Sequence, residues 1–252
     1  MLRTAALKAA LPKRYKQAAR RAYLRASAFV NAGSTVVCPC CGHTFRKFAH
    51  FFGRPDQCPR CGSLMRHRAV FLFLRDALDV PKGAAILDVG PAPALTTWLA
   101  SLEGVDYLPV DLDSPQATLH ADVTDLPIGD DSFDVILCLH VLEHVPDDRK
   151  AISELFRVLR PGGKAVIQVP VKPIPETIED ATVTTPVARE RRFGQYDHVR
   201  ICGLDYGLRL EAAGFDVTEE DYVERLDAAS RIRFGVRTGE PFYLCVKPAR
   251  AR

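Results

Sequence analysis

From Gly83 onward, short and nearly continuous apolar runs alternate with stretches in which apolar residues recur every three or four positions. The runs read as buried strands and the stretches as amphipathic helices. Strands are expected at Ala84–Gly90, Val105–Leu112, Ala117–Val123, Phe133–His140, Lys164–Val171, Phe215–Val223 and Phe242–Pro248. Helices are expected at Ala94–Leu102, Asp147–Arg160 and Gly203–Gly214, with Pro161–Gly162–Gly163 and Gly214 as stops. The Asp147–Arg160 stretch has acids at its start and Arg at its end, which suits a helix dipole. Strand–helix alternation implies an α/β, doubly wound, mostly parallel sheet with helices on both faces. Residues 172–200, rich in Pro, Thr and charge, break the pattern and read as an insertion or lid.

The region before Gly83 is built differently. Residues 3–30 set Ala, Leu and Tyr among Lys and Arg at helical spacing with no acid, which predicts a basic amphipathic helix ending near Asn31–Ala32–Gly33. Residues 34–65 hold five of the eight cysteines. His67–Val80 carries an apolar face and reads as a helix leading into the larger domain. The expected organisation is a helix over 1–33, a cysteine module over 34–66 and the α/β domain over 67–252, with no internal repeat.

The chain has 252 residues, 47% of them hydrophobic, enough for a packed core. Its longest apolar run, Ala69–Leu74, falls far short of the roughly 20 residues of a membrane span. The basic start is not followed by the apolar region of a secretory signal, and the cysteines do not form an even disulfide framework. A cytoplasmic location is expected, or one at the inner face of the membrane. The net charge of +3 conceals an asymmetry. Residues 1–68 carry 14 Lys+Arg against the single acid Asp56, a balance of +13, while the remaining 20 Lys+Arg and 30 Asp+Glu leave −10. Such a basic front suits nucleic acid through residues 1–68 or an anionic membrane surface through residues 3–30. It equally suits a solubilising helix with no partner.

Two knuckles stand out, Cys38-Pro-Cys-Cys41-Gly and Cys58-Pro-Arg-Cys61-Gly, with 16 residues between Cys41 and Cys58. A two-residue gap lets both thiolates of a pair face one ion, and the following Gly permits the tight turn. Cys38, Cys41, Cys58 and Cys61 are therefore candidate ligands of a structural zinc ribbon, and Cys40 a non-ligand. A redox dithiol is the other reading. The Phe residues between the knuckles, mixed with His, Lys and Arg, either stack on nucleic acid or pack the ribbon onto its neighbour.

Four motifs in order give the larger domain a family likeness. They are Ile86–Leu95 (ILDVGPAPAL), Asp111 closing a strand, His120–Asp134 (HADVTDLPIGDDSFD), and Cys138–Asp148 (CLHVLEHVPDD) followed by Leu159–Gly163. Together they resemble the class I S-adenosylmethionine (SAM)-dependent methyltransferases over residues 84–247, and with the ribbon a group of bacterial proteins of that class. The resemblance implies a Rossmann-like seven-stranded sheet and SAM as cofactor. It assigns Asp88, Gly90 and Ala92 to the loop facing the methionine part and Asp111 to the ribose, with Asp113 its rival. It assigns Asp122 and Val123 to adenine, and Leu139 to the end of the strand beside it. Ala92 and Ala94 stand where the family commonly has glycine.

His140, Glu143 and His144 fall at the carboxyl end of the fourth strand, beside the switch point where ligands bind. They could brace the loop, supply a general base, or hold a divalent metal. Tyr196, His198 and Arg200 alternate along the lid, so an extended lid would turn all three toward an acceptor. His198 is then a second candidate base, with Tyr196, Arg200 and Glu143 as acceptor contacts. Methyl transfer from a sulfonium is an in-line displacement in which the protein mainly aligns the reactants. The leading expectation is transfer to a small-molecule, saccharide (glycan) or lipid-linked acceptor. Two others stand beside it: an RNA methyltransferase gripping RNA through its basic ribbon, and a non-catalytic scaffold whose loop has lost its glycines.

Overall fold

The computed structural model describes residues 13–51, 54–78 and 80–249. The first ten residues of the expected basic helix, 3–12, lie outside them. The rest of that helix runs over Lys13–Val30. Four short strands follow, β1 (Val36–Val37), β2 (Thr44–Phe45), β3 (Ala49–Phe51) and β4 (Arg54–Gln57), paired as two antiparallel hairpins. Each hairpin meets one cysteine knuckle. Strands this short bury little by themselves, so the ribbon leans on its neighbours. Leu24 and Ser27 of the helix are buried, and Arg20 donates to the Gln57 side chain and the Gly62 carbonyl.

Seven strands form the main sheet: β5 (Ala85–Val89), β6 (Asp106–Asp111), β7 (Leu119–His120), β8 (Phe133–Leu139), β9 (Leu159–Gln168), β12 (Asp216–Glu220) and β13 (Phe242–Val246). Their spatial order is β12-β13-β9-β8-β5-β6-β7. All run parallel except β13, which is antiparallel to both neighbours. The sheet reverses its winding between β5 and β8, so the carboxyl ends of these two strands flank the switch point. Every residue of β5 is buried, and β8 is buried except at Asp134. Two cores result. One holds Leu87, Ile136, Ile167 and the Asp148–Val158 helix; the other holds Ile86, Leu137, Leu95 and the Met65–Asp76 helix.

The structure shifts several expected boundaries. β9 begins at Leu159, so Pro161–Gly162–Gly163 ends the helix yet already belongs to the strand. Gly162 has φ +80°, and a Cβ on Gly163 would sit 2.8 Å from the Arg160 carbonyl, which is why this entry needs two glycines. The expected strand over 117–123 shrinks to Leu119–His120 at the sheet edge, where short strands resist further pairing. Asp147 caps the following helix by accepting the Lys150 amide, worth about 1 kcal/mol. Asp148 is not a dipole charge in solvent. It is buried and binds the Tyr206 hydroxyl and Arg209.

The segment 172–200 has its own order: β10 (Ile178–Glu179), a Pro186–Phe193 helix and β11 (Arg200–Ile201), with β10 and β11 paired. Among the described residues no helix is long and apolar enough to cross a membrane.

Candidate functional site

The four ribbon cysteines converge. Sγ atoms of Cys38, Cys41, Cys58 and Cys61 all lie within 4.8 Å of one another. Cys38 and Cys61 are 3.6 Å apart, and Cys41 and Cys58 3.7 Å. Tetrahedral zinc with bonds of about 2.3 Å sets sulfurs roughly 3.8 Å apart, so the cluster fits a structural zinc. Gly42 and Gly62 close the two knuckles at φ +71° and +72°, which a side chain resists. Amides of Arg60 and Cys61 point at the Cys58 sulfur. Cys40 stays outside the cluster and touches both the ribbon core and the main-domain core. Phe45 and Phe48 are buried, and the Arg68 guanidinium lies over Phe48, 4.0 Å from the ring centre. Fully buried, Arg68 also donates to carbonyls of Asp56, Ser63, Phe234 and Gly235, riveting ribbon, helix and C-terminal segment together. These two aromatics therefore pack the protein and are not a stacking platform.

The residues assigned to SAM gather at the carboxyl ends of β5, β6, β7 and β8. Gly90 has φ +68°, and a Cβ there would lie 2.5 Å from Val141 Cγ2. Neither the backbone nor the neighbour tolerates a side chain. Ala92 needs no glycine: its φ is −84°, and it precedes a helix that starts with Pro93. Asp88 is buried beneath this loop and accepts from the Tyr107 hydroxyl at 2.6 Å. Burial pushes its carboxyl up to about 6, with Tyr107 pulling it down. One oxygen of Asp111 accepts the amides of Asp113 and Ser114, fixing the carboxylate at the strand end. Asp122 is exposed and accepts from Thr124, while Val123 and Leu139 are buried.

Beyond β8 the chain turns sharply. His140 adopts φ +57°, a region costing a side chain roughly 1–2 kcal/mol, and its amide donates to the Gln168 carbonyl. The turn aims His140 at a cavity of about 770 Å³. Its walls are Asp56 and Leu64–Arg66 from the ribbon side, His140, Glu143 and His144 after β8, Pro170 after β9, Gln195–His198 from the lid, and Arg237 and Glu240 before β13. His140 Nδ1 lies 3.0 Å from Oε1 of Glu143, which is buried. His144 Nδ1 meets the Asp197 carbonyl at 3.2 Å, and its ring stands edge-on to His198, centres 4.8 Å apart. Burial, then the neighbouring His144, holds the His198 imidazole below its ordinary value.

Tyr196 and His198 thus reach the cavity, but Arg200 does not. The expectation that Arg200 contacts the acceptor is corrected. The residue is 2% exposed and donates to the carbonyls of Leu142, Val145 and Pro146 and to Glu179. The segment is not extended, because Tyr196–Asp197 is a turn, so alternation along it does not set one face. Sequence reasoning missed Arg66, Asp56, Arg237 and Glu240 as cavity walls. Arg237 pairs with Asp56 from 181 positions away, and only the tertiary fold joins them.

The sheet order is that of a Rossmann-like methyltransferase fold, and part of the chain matches a methyltransferase family. Residues 87–167 match the family described as methyltransferase domain. An uncharacterized methyltransferase of Mycobacterium sp. (strain KMS) is 37% identical over 102 residues, covering 36% of this chain and 40% of that protein. Demethylmenaquinone methyltransferase of Clavibacter sepedonicus is 48% identical over 58 residues, 23% of this chain and 24% of the relative. The chain thus spans about 40% of the length of the first of these relatives. Among solved structures, Haemonchus contortus phosphoethanolamine N-methyltransferase 2, bound to phosphomonomethylethanolamine and S-adenosylhomocysteine, aligns with TM-score 0.48 and 16% identity. That alignment covers 72% of this chain and 53% of that one.

Proposed function

We propose that the protein is a SAM-dependent methyltransferase acting on a small-molecule, saccharide or lipid-linked acceptor held in the cavity after β8. One observation carries this reading. The cavity opens at the switch point, and its volume of about 770 Å³ falls within the range of small-ligand sites, roughly 300–1,000 Å³. Val141, next to the cavity residue His140, lies over Gly90 of the expected cofactor loop. Asp111 would take the ribose, Asp122 and Val123 the adenine, and Asp88, Gly90, Ala92 and Leu139 would shape the floor.

SAM supplies an activated methyl group when bound. The chain's own task is alignment and proton removal. With Glu143 accepting from Nδ1, His140 keeps Nε2 as a base for an acceptor hydroxyl. His144 and His198 stand behind it. The ribbon, stabilised by zinc at its four cysteines, contributes a wall of this cavity, a role beyond simple attachment. The scaffold reading loses its main support because Ala92 sits in a backbone conformation that alanine accepts. The RNA reading is weakened because Phe45, Phe48 and Arg20 are occupied within the protein.

The test is incubation of zinc-loaded protein with methyl-labelled SAM and a cell extract, followed by fractionation. Label in small-molecule, glycan or lipid fractions is expected. Label confined to RNA, lost on removing residues 1–68, would replace this reading with the RNA one.

A further inference from the structure

We propose that Glu143, His144 and His198 form a divalent-metal site inside the acceptor cavity. The proposal rests on the reading of that cavity as the acceptor site only for its purpose, not for its existence. Donor atoms of the three side chains lie within 4.8 Å of one another. Two imidazoles and one carboxylate are a donor set for first-row divalent ions and leave coordination positions open. Bonds of about 2.1 Å require donors roughly 3–3.5 Å apart, so closure needs about 1 Å of side-chain movement. His144 and His198 are both only partly buried and have room for it.

Two further observations separate this cluster from an ordinary polar patch. Glu143 is 1% exposed, and its Oε2 has no hydrogen-bond partner among the described residues. Its ion pairs among those residues are with His140 and His144, at 3.0 and 4.0 Å. A carboxylate taken out of water with an unused oxygen is costly unless a cation meets it. The second observation is how the lid is held. The Val199 amide donates to the Glu143 carbonyl at 3.0 Å, setting His198 beside the carboxylate. Buried Arg200 then fastens the same strand to the loop carbonyls of Val145 and Pro146. Ligands from two chain segments are thus preset by main-chain bonds, as a working metal site requires.

The ion's open positions would face the cavity, where an acceptor hydroxyl can coordinate and lose its proton more readily. Through Nδ1, His140 bonds the other carboxylate oxygen and holds the carboxylate in place, while its Nε2 keeps the role of base. The acceptor class that fits is an oxygen nucleophile; an amine has no need of such an ion.

Mn²⁺ is the probe, because hard ligands suit it and the ribbon thiolates, filled with zinc, do not. Zinc-loaded full-length protein is titrated with Mn²⁺ while the electron paramagnetic resonance signal of free Mn²⁺ is followed. One equivalent bound is expected, weakened at least tenfold in His198→Gln and in Glu143→Gln, with thermal melts verifying that both variants fold. No depletion of free Mn²⁺ by the folded protein, or equal binding by a His144→Gln/His198→Gln double variant, overturns the site. Calorimetry with SAM on the same samples keeps the two claims apart. SAM binding without Mn²⁺ binding sinks the metal site alone; Mn²⁺ binding without SAM binding supports the site and sinks the methyltransferase reading.

Discussion

The amide of Val199 donates to the carbonyl of Glu143 at 3.0 Å, so the lid strand and the loop after β8 are one hydrogen-bonded unit. Arg200, the next residue, completes the unit from inside. Replacing Arg200 by Ala leaves three loop carbonyls and the Glu179 and Asp148 carboxylates short of a donor. Breaking such a buried network costs about 3–5 kcal/mol. Urea unfolding should show a loss of that order for Arg200→Ala, and a much smaller one for Tyr196→Ala, which is 60% exposed. Equal effects would contradict the fixed-lid account.

Gly90 is the one loop position where alanine is forbidden on two counts, φ +68° and a Cβ 2.5 Å from Val141 Cγ2. Gly90→Ala should lower SAM affinity at least tenfold. Adding Val141→Ala should recover part of the loss, since it relieves the contact but not the backbone strain. Full recovery would mean that the backbone conformation is not needed.

These two positions show how unevenly the sequence speaks. The strands of the main sheet along the chain and the cysteine cluster follow from periodicity and motif spacing, because those signals are local, whereas the order of the strands in the sheet does not. Arg200 reads as an acceptor contact by alternation and is instead buried, since a turn at Tyr196–Asp197 cancels the alternation. Asp56 and Arg237 meet only through the docking of the ribbon on the C-terminal segment, for which Arg68 is the rivet. No local pattern encodes that docking. The short β7 and the early start of β9 depend on neighbouring strands, which also escape a local reading.

Asp88 makes stability pH-dependent in a defined sense. Burial raises its folded-state value to about 6, above the unfolded value of about 3.9. The folded chain therefore binds more protons between these values. The stability this group contributes is fully present below pH 4 and is lost as pH rises through about 6. Asp88→Asn removes the dependence, so the variant should gain on the parent by on the order of 2–3 kcal/mol between pH 4 and 7. Urea midpoints at several pH values give the comparison, and a parallel course for both proteins would refute the assignment.

Zinc removal should reach the cavity. The ribbon has only short hairpins and a small core, so a zinc held by Cys38, Cys41, Cys58 and Cys61 would carry much of its fold. Cys58→Ser or a strong chelator should release one zinc and raise amide exchange over residues 34–66 and around Arg237. The β5–β8–β9 core should keep its protection. Protected ribbon amides in a metal-free sample would show that the ribbon stands on packing alone.

The most direct measurement of the central claim is calorimetric titration of zinc-loaded protein with SAM and with S-adenosylhomocysteine, beside Asp111→Ala. Asp111 offers one carboxylate oxygen to the loop amides and has the other to give to a ribose. The expected result is micromolar binding of both ligands, lost in Asp111→Ala while the fold persists. No binding of either ligand to folded parent protein would contradict the account and leave the domain a scaffold.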